Sequence, residues 1–187
     1  MKKLLITLTL LALLGFLSGC AWLEEPTPDY RALLIDCALR ADTERGRELA
    51  RERDTYRETS GSTEPQIDFD ELLLLSRYLT LRAGDERISD EQRLCTGEVM
   101  LNRVALPGYP DSLEEVLAGE GEMPERPVHR CAEAAWELLS GRRLLDSRAV
   151  LQSEGSPAGP VCATFCDRYY LVTYFCLDRN SDSGGAS

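Results

Sequence analysis

Between residues 67 and 140, apolar positions recur at helical spacing in four runs, the first three preceded by residues suited to open a helix. Asp68 and Glu71 form a capping box ahead of "FDELLLLSRYL", predicting a helix from Phe69 to Ala83 that Gly84 can terminate. Ser89 and Gln92 form a second box. The helix they open carries Leu94, Cys95, Leu101 and Val104 and stops before Pro107. Ser112 and Glu115 open a short helix, "LEEVLA", ended by Gly119. Residues 128–140 place Val128, Cys131, Ala135, Leu138 and Leu139 on one face, and Gly141 closes that helix. Beyond it the period changes. "RAVLQ" (148–152) and "YYLVTYFCL" (169–177) are β-rich and separated by Gly/Pro-rich sequence. The predicted class is α+β, mainly helical: four helices followed by a short C-terminal antiparallel pair or ribbon, over residues 67–178.

Upstream, residues 29–66 read as one long charged helix to about Glu58 and a linker, "TSGSTEP". Thr27 and Pro28 suit its N-cap and first position. Its apolar stripe (Tyr30, Leu33, Leu34, Cys37, Ala38, Ala41) covers only the first turns, so it is either a solvated spacer or a helix docked by its first half. As a stalk, thirty helical residues would extend ~45 Å. The tail, 179–187, is polar and expected to be disordered.

Residues 1–19 have the form of an export leader. Lys2 and Lys3 precede an apolar stretch from Leu4 to Leu17, too short to span a bilayer comfortably, and small residues follow. The "LSGC" end resembles a bacterial lipobox, in which Cys20 becomes the lipidated N-terminus, with 20–28 as tether. This places the protein at the outer face of a bacterial membrane, in the cell envelope. Each buried acyl CH₂ contributes about 0.8 kcal/mol, so several chains anchor stably.

Cleavage would remove both lysines, leaving 19 arginines (21 Lys+Arg less two) against 32 acidic residues, net −13. That charge excludes nonspecific adhesion to nucleic acid. Besides Cys20 there are six cysteines, Cys37, Cys95, Cys131, Cys162, Cys166 and Cys176, which permit three disulfides in 15 connectivities. Cys95 and Cys131 fall on apolar helix faces, as buried free thiols do. The spacing of Cys162, Cys166, Cys176 and the lone His129 matches no zinc pattern, and no metal or cofactor is implied. One histidine supports no Ser-His-Asp or Cys-His arrangement, and His129 reads as a surface or capping residue. Asn102 and Arg103 read as residues that hold neighbouring backbone, with substrate contact as the alternative. Trp136, Tyr169, Tyr170, Tyr174 and Phe175 are candidates for a sugar platform or for the core.

The order of motifs is similar to that of the spore-cortex-lytic (SleB-type) cell wall hydrolase family. The most specific stretch is Gly97-Glu98-Val99-Met100-Leu101-Asn102-Arg103-Val104, followed by "PGYPDSLEEVL"; "VLQ" (150–152) and "TYFC" (173–176) resemble the family's late segments. The likeness spans roughly residues 30–178. It implies a small lysozyme-like domain that cleaves peptidoglycan glycan strands as a muramidase or lytic transglycosylase. Its partner would be the glycan strand or another cell wall enzyme.

The family pattern at the end of the first helix is Ala-Glu-Ala followed closely by Gly, the Glu being the general acid. Such an acid works from an apolar groove that keeps it protonated. Aligned on "LLLLSRYL", the corresponding residues are Leu81-Arg82-Ala83; aligned back from "LNRV", the position falls on Gly84. Neither supplies a carboxyl group, and an arginine stays charged and cannot donate a proton usefully. The family's Gln and aromatic segment after the short helix is also missing from "LAGEGEMPERPVHR". The expectation is a lipid-anchored member that has lost glycosidase activity and binds glycan or a wall enzyme. The alternative is an active hydrolase or lytic transglycosylase using Glu98, Asp85 or Glu86.

Overall fold

A computed structural model describes residues 28–178. The leader, Cys20, Thr27 and the tail 179–187 lie outside the described residues. Six helices and three strands follow in order: α1 (Tyr30–Arg40), α2 (Thr43–Ser60), α3 (Phe69–Ala83), α4 (Asp90–Ala105), α5 (Leu113–Leu117), α6 (His129–Leu139), β1 (Ala149–Glu154), β2 (Val161–Cys166) and β3 (Val172–Leu177). The α+β class is as the pattern predicts.

The capping residues supply the first half of each predicted box in the compact part, while the returning side chain of the second box goes elsewhere: Gln92 Nε2 donates to Thr173 Oγ1 of β3 at 3.1 Å. Asp68 accepts from the amides of Asp70 (2.8 Å) and Glu71 (3.1 Å), Ser89 from Gln92 (3.2 Å), and Ser112 from Glu115 (3.3 Å). Each pairing satisfies an amide that the first helical turn leaves without a partner. Gly84 does end α3, with right-handed backbone.

The charged N-terminal segment departs from the single helix predicted over residues 29–58. Asp29, not Thr27, caps α1, accepting from the Ala32 amide at 3.0 Å. The chain then turns at Ala41, whose φ is 56°. Asp42 restarts it by accepting from the Arg45 amide at 3.2 Å. An aspartate satisfied as an N-cap competes with helix continuation, and here the cap prevails.

Nor is α2 a spacer, or docked only through the first half of the segment. Gly46, Leu49, Ala50 and Arg53 form a buried stripe at helical spacing. Leu34, Cys37 and Ala38 of α1 and Leu49 and Ala50 of α2 belong to the same core as α3, α4, α6 and Phe175 of β3. Residues 29–66 and 67–178 therefore share one core, and there is no ~45 Å stalk.

Gly46 marks where α2 meets that core: a Cβ there would fall 2.2 Å from Cζ of the buried Phe69 ring. Helix propensity favours alanine by about 1 kcal/mol, but forcing a methyl into a packed core costs about 1–3 kcal/mol. Gly46→Ala should thus destabilise, lowering the urea midpoint, whereas the same change at an open helical position would raise it. A second helix contact of this kind is at Gly97 of α4, where a Cβ would lie 2.5 Å from Leu138 Cδ1 of α6.

The C-terminal ribbon has one strand more than the predicted pair. The sheet is antiparallel with order β1-β3-β2, so β3, the last strand in the chain, is central. Only Ala163 and Phe165 of β2 pack on the core, and Phe165 meets Phe175 edge-on at 5.7 Å. Two apolar contacts amid Gly/Pro-rich sequence are too few to announce a strand. The segment 169–171, read as strand, instead forms the β2–β3 turn.

Candidate functional site

The C-terminal end of α3 opens into a groove of about 380 Å³, lined by Tyr78 and Arg82 of α3, Met100 and Arg103 of α4, Glu120, and Gln152, Ser153 and Glu154 of β1. Arg82 is half exposed, with Nη2 2.8 Å from Glu120 Oε2. Arg103 approaches the other carboxylate oxygen at 3.6 Å. Glu120 is held just after α5, where its amide donates to Leu117 O at 3.0 Å, and its side chain is only 15% exposed. Two guanidinium groups thus converge on one carboxylate at the helix end where the resemblance places the acid.

Tyr78 lies beneath the pair, fully buried. Burial first, and the Glu120 carboxylate second, push its hydroxyl up to about 12, with Arg82 opposing. Cys95 is pushed up to about 12 as well, mainly by burial. Both groups favour the neutral form in the folded state, so their contributions are fully present below the unfolded pKa values, near 9 and 10. They are lost as pH rises through about 12. Stability measured by denaturant at successive pH values should hold level up to about pH 8.5 and fall steadily between about 9 and 12. Cys95→Ala should flatten the first part of that decline.

The three fallback acids do not line this groove. Glu98 is fully buried. Its carboxylate accepts from the amide of Leu144 at 2.7 Å and from that of Leu145 at 3.1 Å, tying α4 to the chain that leaves α6. Asp85 is on the surface, and hydrogen bonds from the Arg87 side chain and amide hold its carboxyl well below the usual carboxylate range. Glu86 projects into solvent and pairs with Arg130 at 3.2 Å. None has the apolar, unpaired setting that a general acid needs.

Asn102 donates to the carbonyls of Asp146 (3.1 Å) and Ala149 (3.0 Å), so it anchors the start of β1. Arg103 does two things: Nε donates to Val150 O at 2.9 Å while Nη1 reaches into the groove. His129 opens α6 at the surface, 3.6 Å from Glu133. Trp136 packs against the core, and Phe175 lies within it.

Tyr169 and Tyr170 stand out from the β2–β3 turn, 62% and 87% exposed. The turn is held by Asp167, whose carboxylate accepts from the amides of Tyr169 (2.8 Å) and Leu171 (3.0 Å). Arg87 and Arg168 lie over the Tyr169 ring, 5.4 and 5.1 Å from its centre. Tyr170 has a φ of 63°, a left-handed backbone that is costly for a bulky residue.

Among the described residues no group of three metal-ligating side chains is assembled, and no helix is long and apolar enough to cross a membrane. Glu120 was not singled out by the sequence. It lies 38 positions from Arg82, and the segment around it draws notice for the aromatics it lacks, not for its acids. Compared with protein-family models, with curated proteins and with solved structures, the chain matches none of them.

Proposed function

We propose that the chain is a non-catalytic, envelope-facing relative of the spore-cortex-lytic cell wall hydrolases, with a lysozyme-like domain whose groove binds a peptidoglycan strand or another wall enzyme. The observation that carries this reading is the Arg82–Glu120–Arg103 cluster. Glycosidic cleavage needs a proton delivered to the leaving oxygen and stabilisation of a positive sugar ring. A guanidinium does neither: it keeps its proton, and its charge opposes the developing cation. The placement of Glu98, Asp85 and Glu86 away from the groove supports the same reading. The exposed ring of Tyr170, beside a Tyr169 ring that Arg87 and Arg168 already cover, offers a flat apolar face of the kind that stacks on sugars.

Mature protein incubated with purified peptidoglycan should release no anhydro-muropeptides and no new reducing ends above a buffer control, read by mass spectrometry. It should still sediment with the insoluble wall, and Tyr169→Ala with Tyr170→Ala should cut the bound fraction severalfold. Release of muropeptides by the wild type, abolished in Glu120→Gln, would replace this reading with an active enzyme. Attachment to the membrane would be through lipid on Cys20. Cys20→Ser should then move the protein out of the membrane fraction or stop its processing; a variant still cleaved and membrane-bound would mean some other attachment.

A further inference from the structure

We infer that Cys162 of β2 and Cys176 of β3 are joined by a cross-strand disulfide. The ladder between these strands pairs Cys166 with Val172, Phe165 with Thr173, Thr164 with Tyr174 and Ala163 with Phe175. One step further in the same register, Cys162 falls opposite Cys176. At that point the ladder shifts, and Val161 takes the position across from Cys176. Val161 and Cys162 thus share one partner, as in a β-bulge. Ala163 and Phe165 of β2 pack with Phe175 on the helices, so alternation puts Cys162 and Cys176 together on the opposite face. Cβ atoms of directly opposed residues lie about 4.5–5.5 Å apart and a disulfide requires about 3.5–4.5 Å. A bulge, where the strand already bends, can absorb that difference.

Cys162 Sγ also donates to the carbonyl of Phe175, the residue next to Cys176, at 3.0 Å. The Cys162 thiol, pushed up first by burial and then by Cys176, acts on the Cys95 thiol of α4 as well, so it is the strand register that singles out Cys176. No other cysteine is so placed on the sheet: Cys166 is opposite Val172, and Cys37, Cys95 and Cys131 are buried on three different helices. Of the connectivities that six cysteines allow, the strand register selects this bridge.

The oxidant required is a disulfide donor, such as oxidised glutathione or a thiol oxidoreductase. Cys162 is exposed and meets it first. Its thiolate attacks one donor sulfur, forming a mixed disulfide and releasing a donor thiolate. Cys176 sulfur then attacks Cys162 sulfur and expels the second donor thiol. Two protein thiols lose two electrons, the donor gains them, and the two protons leave with the donor thiols. The bridge pins the edge strand β2 to the central strand. The inference is independent of the wall reading.

The test is to equilibrate the purified protein with oxidised and reduced glutathione, alkylate it, digest it with trypsin without reduction, and map the peptides. Expected is a linked pair, residues 149–168 with 169–179, that persists in Cys166→Ser and is absent in Cys162→Ser. Reduction should lower the wild-type Tm by about 5–10 °C and leave that of Cys162→Ser with Cys176→Ser unchanged. Full alkylation of both cysteines without reduction would overturn the inference. So would glutathione retained on Cys162 beside a free Cys176, or a linkage running through Cys166.

Discussion

Glu98→Ala should lower the melting temperature by about 10 °C. The carboxylate is fully buried and accepts from two consecutive backbone amides, those of Leu144 and Leu145. Hydrogen bonds to a charged group contribute about 1.5–3 kcal/mol, and truncation strands both donors while opening a void. A net loss of about 3 kcal/mol follows, and each kcal/mol moves Tm by about 2–4 °C in a domain of this size. Glu98→Gln keeps the shape and one acceptor oxygen, so it should lose roughly half as much. Thermal melts of the three proteins give the comparison. If Glu98→Ala melts within 2 or 3 °C of wild type (roughly 1 kcal/mol by the same scale), the carboxylate is not the fastening described here.

Arg93→Met should cost a similar amount and loosen the approach to the groove. The Arg93 side chain is only 1% exposed, although it is charged. Its Nε donates to Ala83 O at 3.0 Å, Nη2 donates to Ile88 O at 3.1 Å, and Nη1 pairs with Asp90. One guanidinium thus closes the whole turn between α3 and α4. Methionine fills much of the volume but gives the two carbonyls no donor, a loss of about 3 kcal/mol. Amides of residues 84–88 should then exchange hydrogen faster than the rest of the domain. Arg82 is one residue before Ala83, so wall sedimentation should weaken in parallel if the groove makes the contact. Uniform exchange across the chain, with no excess in this turn, would count against the clamp.

How far the sequence reveals these features depends on the range of the interaction. Caps act over three residues, so Asp68, Ser89 and Ser112 announced their helices accurately. The break after α1 is also local, in Asp42 and the Arg45 amide it accepts from, but the mixed charge of "DTERGRELARERD" masks its narrow buried stripe. That stripe is legible only with Phe69 in place to fill the space over Gly46. Strand β2 shows little because an edge strand with one face on the core needs only Ala163 and Phe165 to be apolar. At the groove, Arg82 stood out because a cation replaced an expected acid. Its partner Glu120 did not, since nothing in a run of acids distinguishes the one that folds inward. The buried bonding of Glu98 is hidden for a related reason: both sides of α4 are covered there, so periodicity does not tell a core anchor from a site residue.

The docking of α1 onto the core also sets a leash length. If Cys20 carries lipid as proposed, about ten residues separate it from Tyr30, and whatever their conformation each spans at most about 3.5 Å. Tyr30 could then stray no more than roughly 35 Å from the bilayer, since α1 and α2 are folded into the body and add nothing to the reach. Such a domain would patrol only the layer of wall nearest its own membrane. Whatever it grips would have to come to that layer, which suits a partner made or inserted at the membrane better than one buried deep in mature wall.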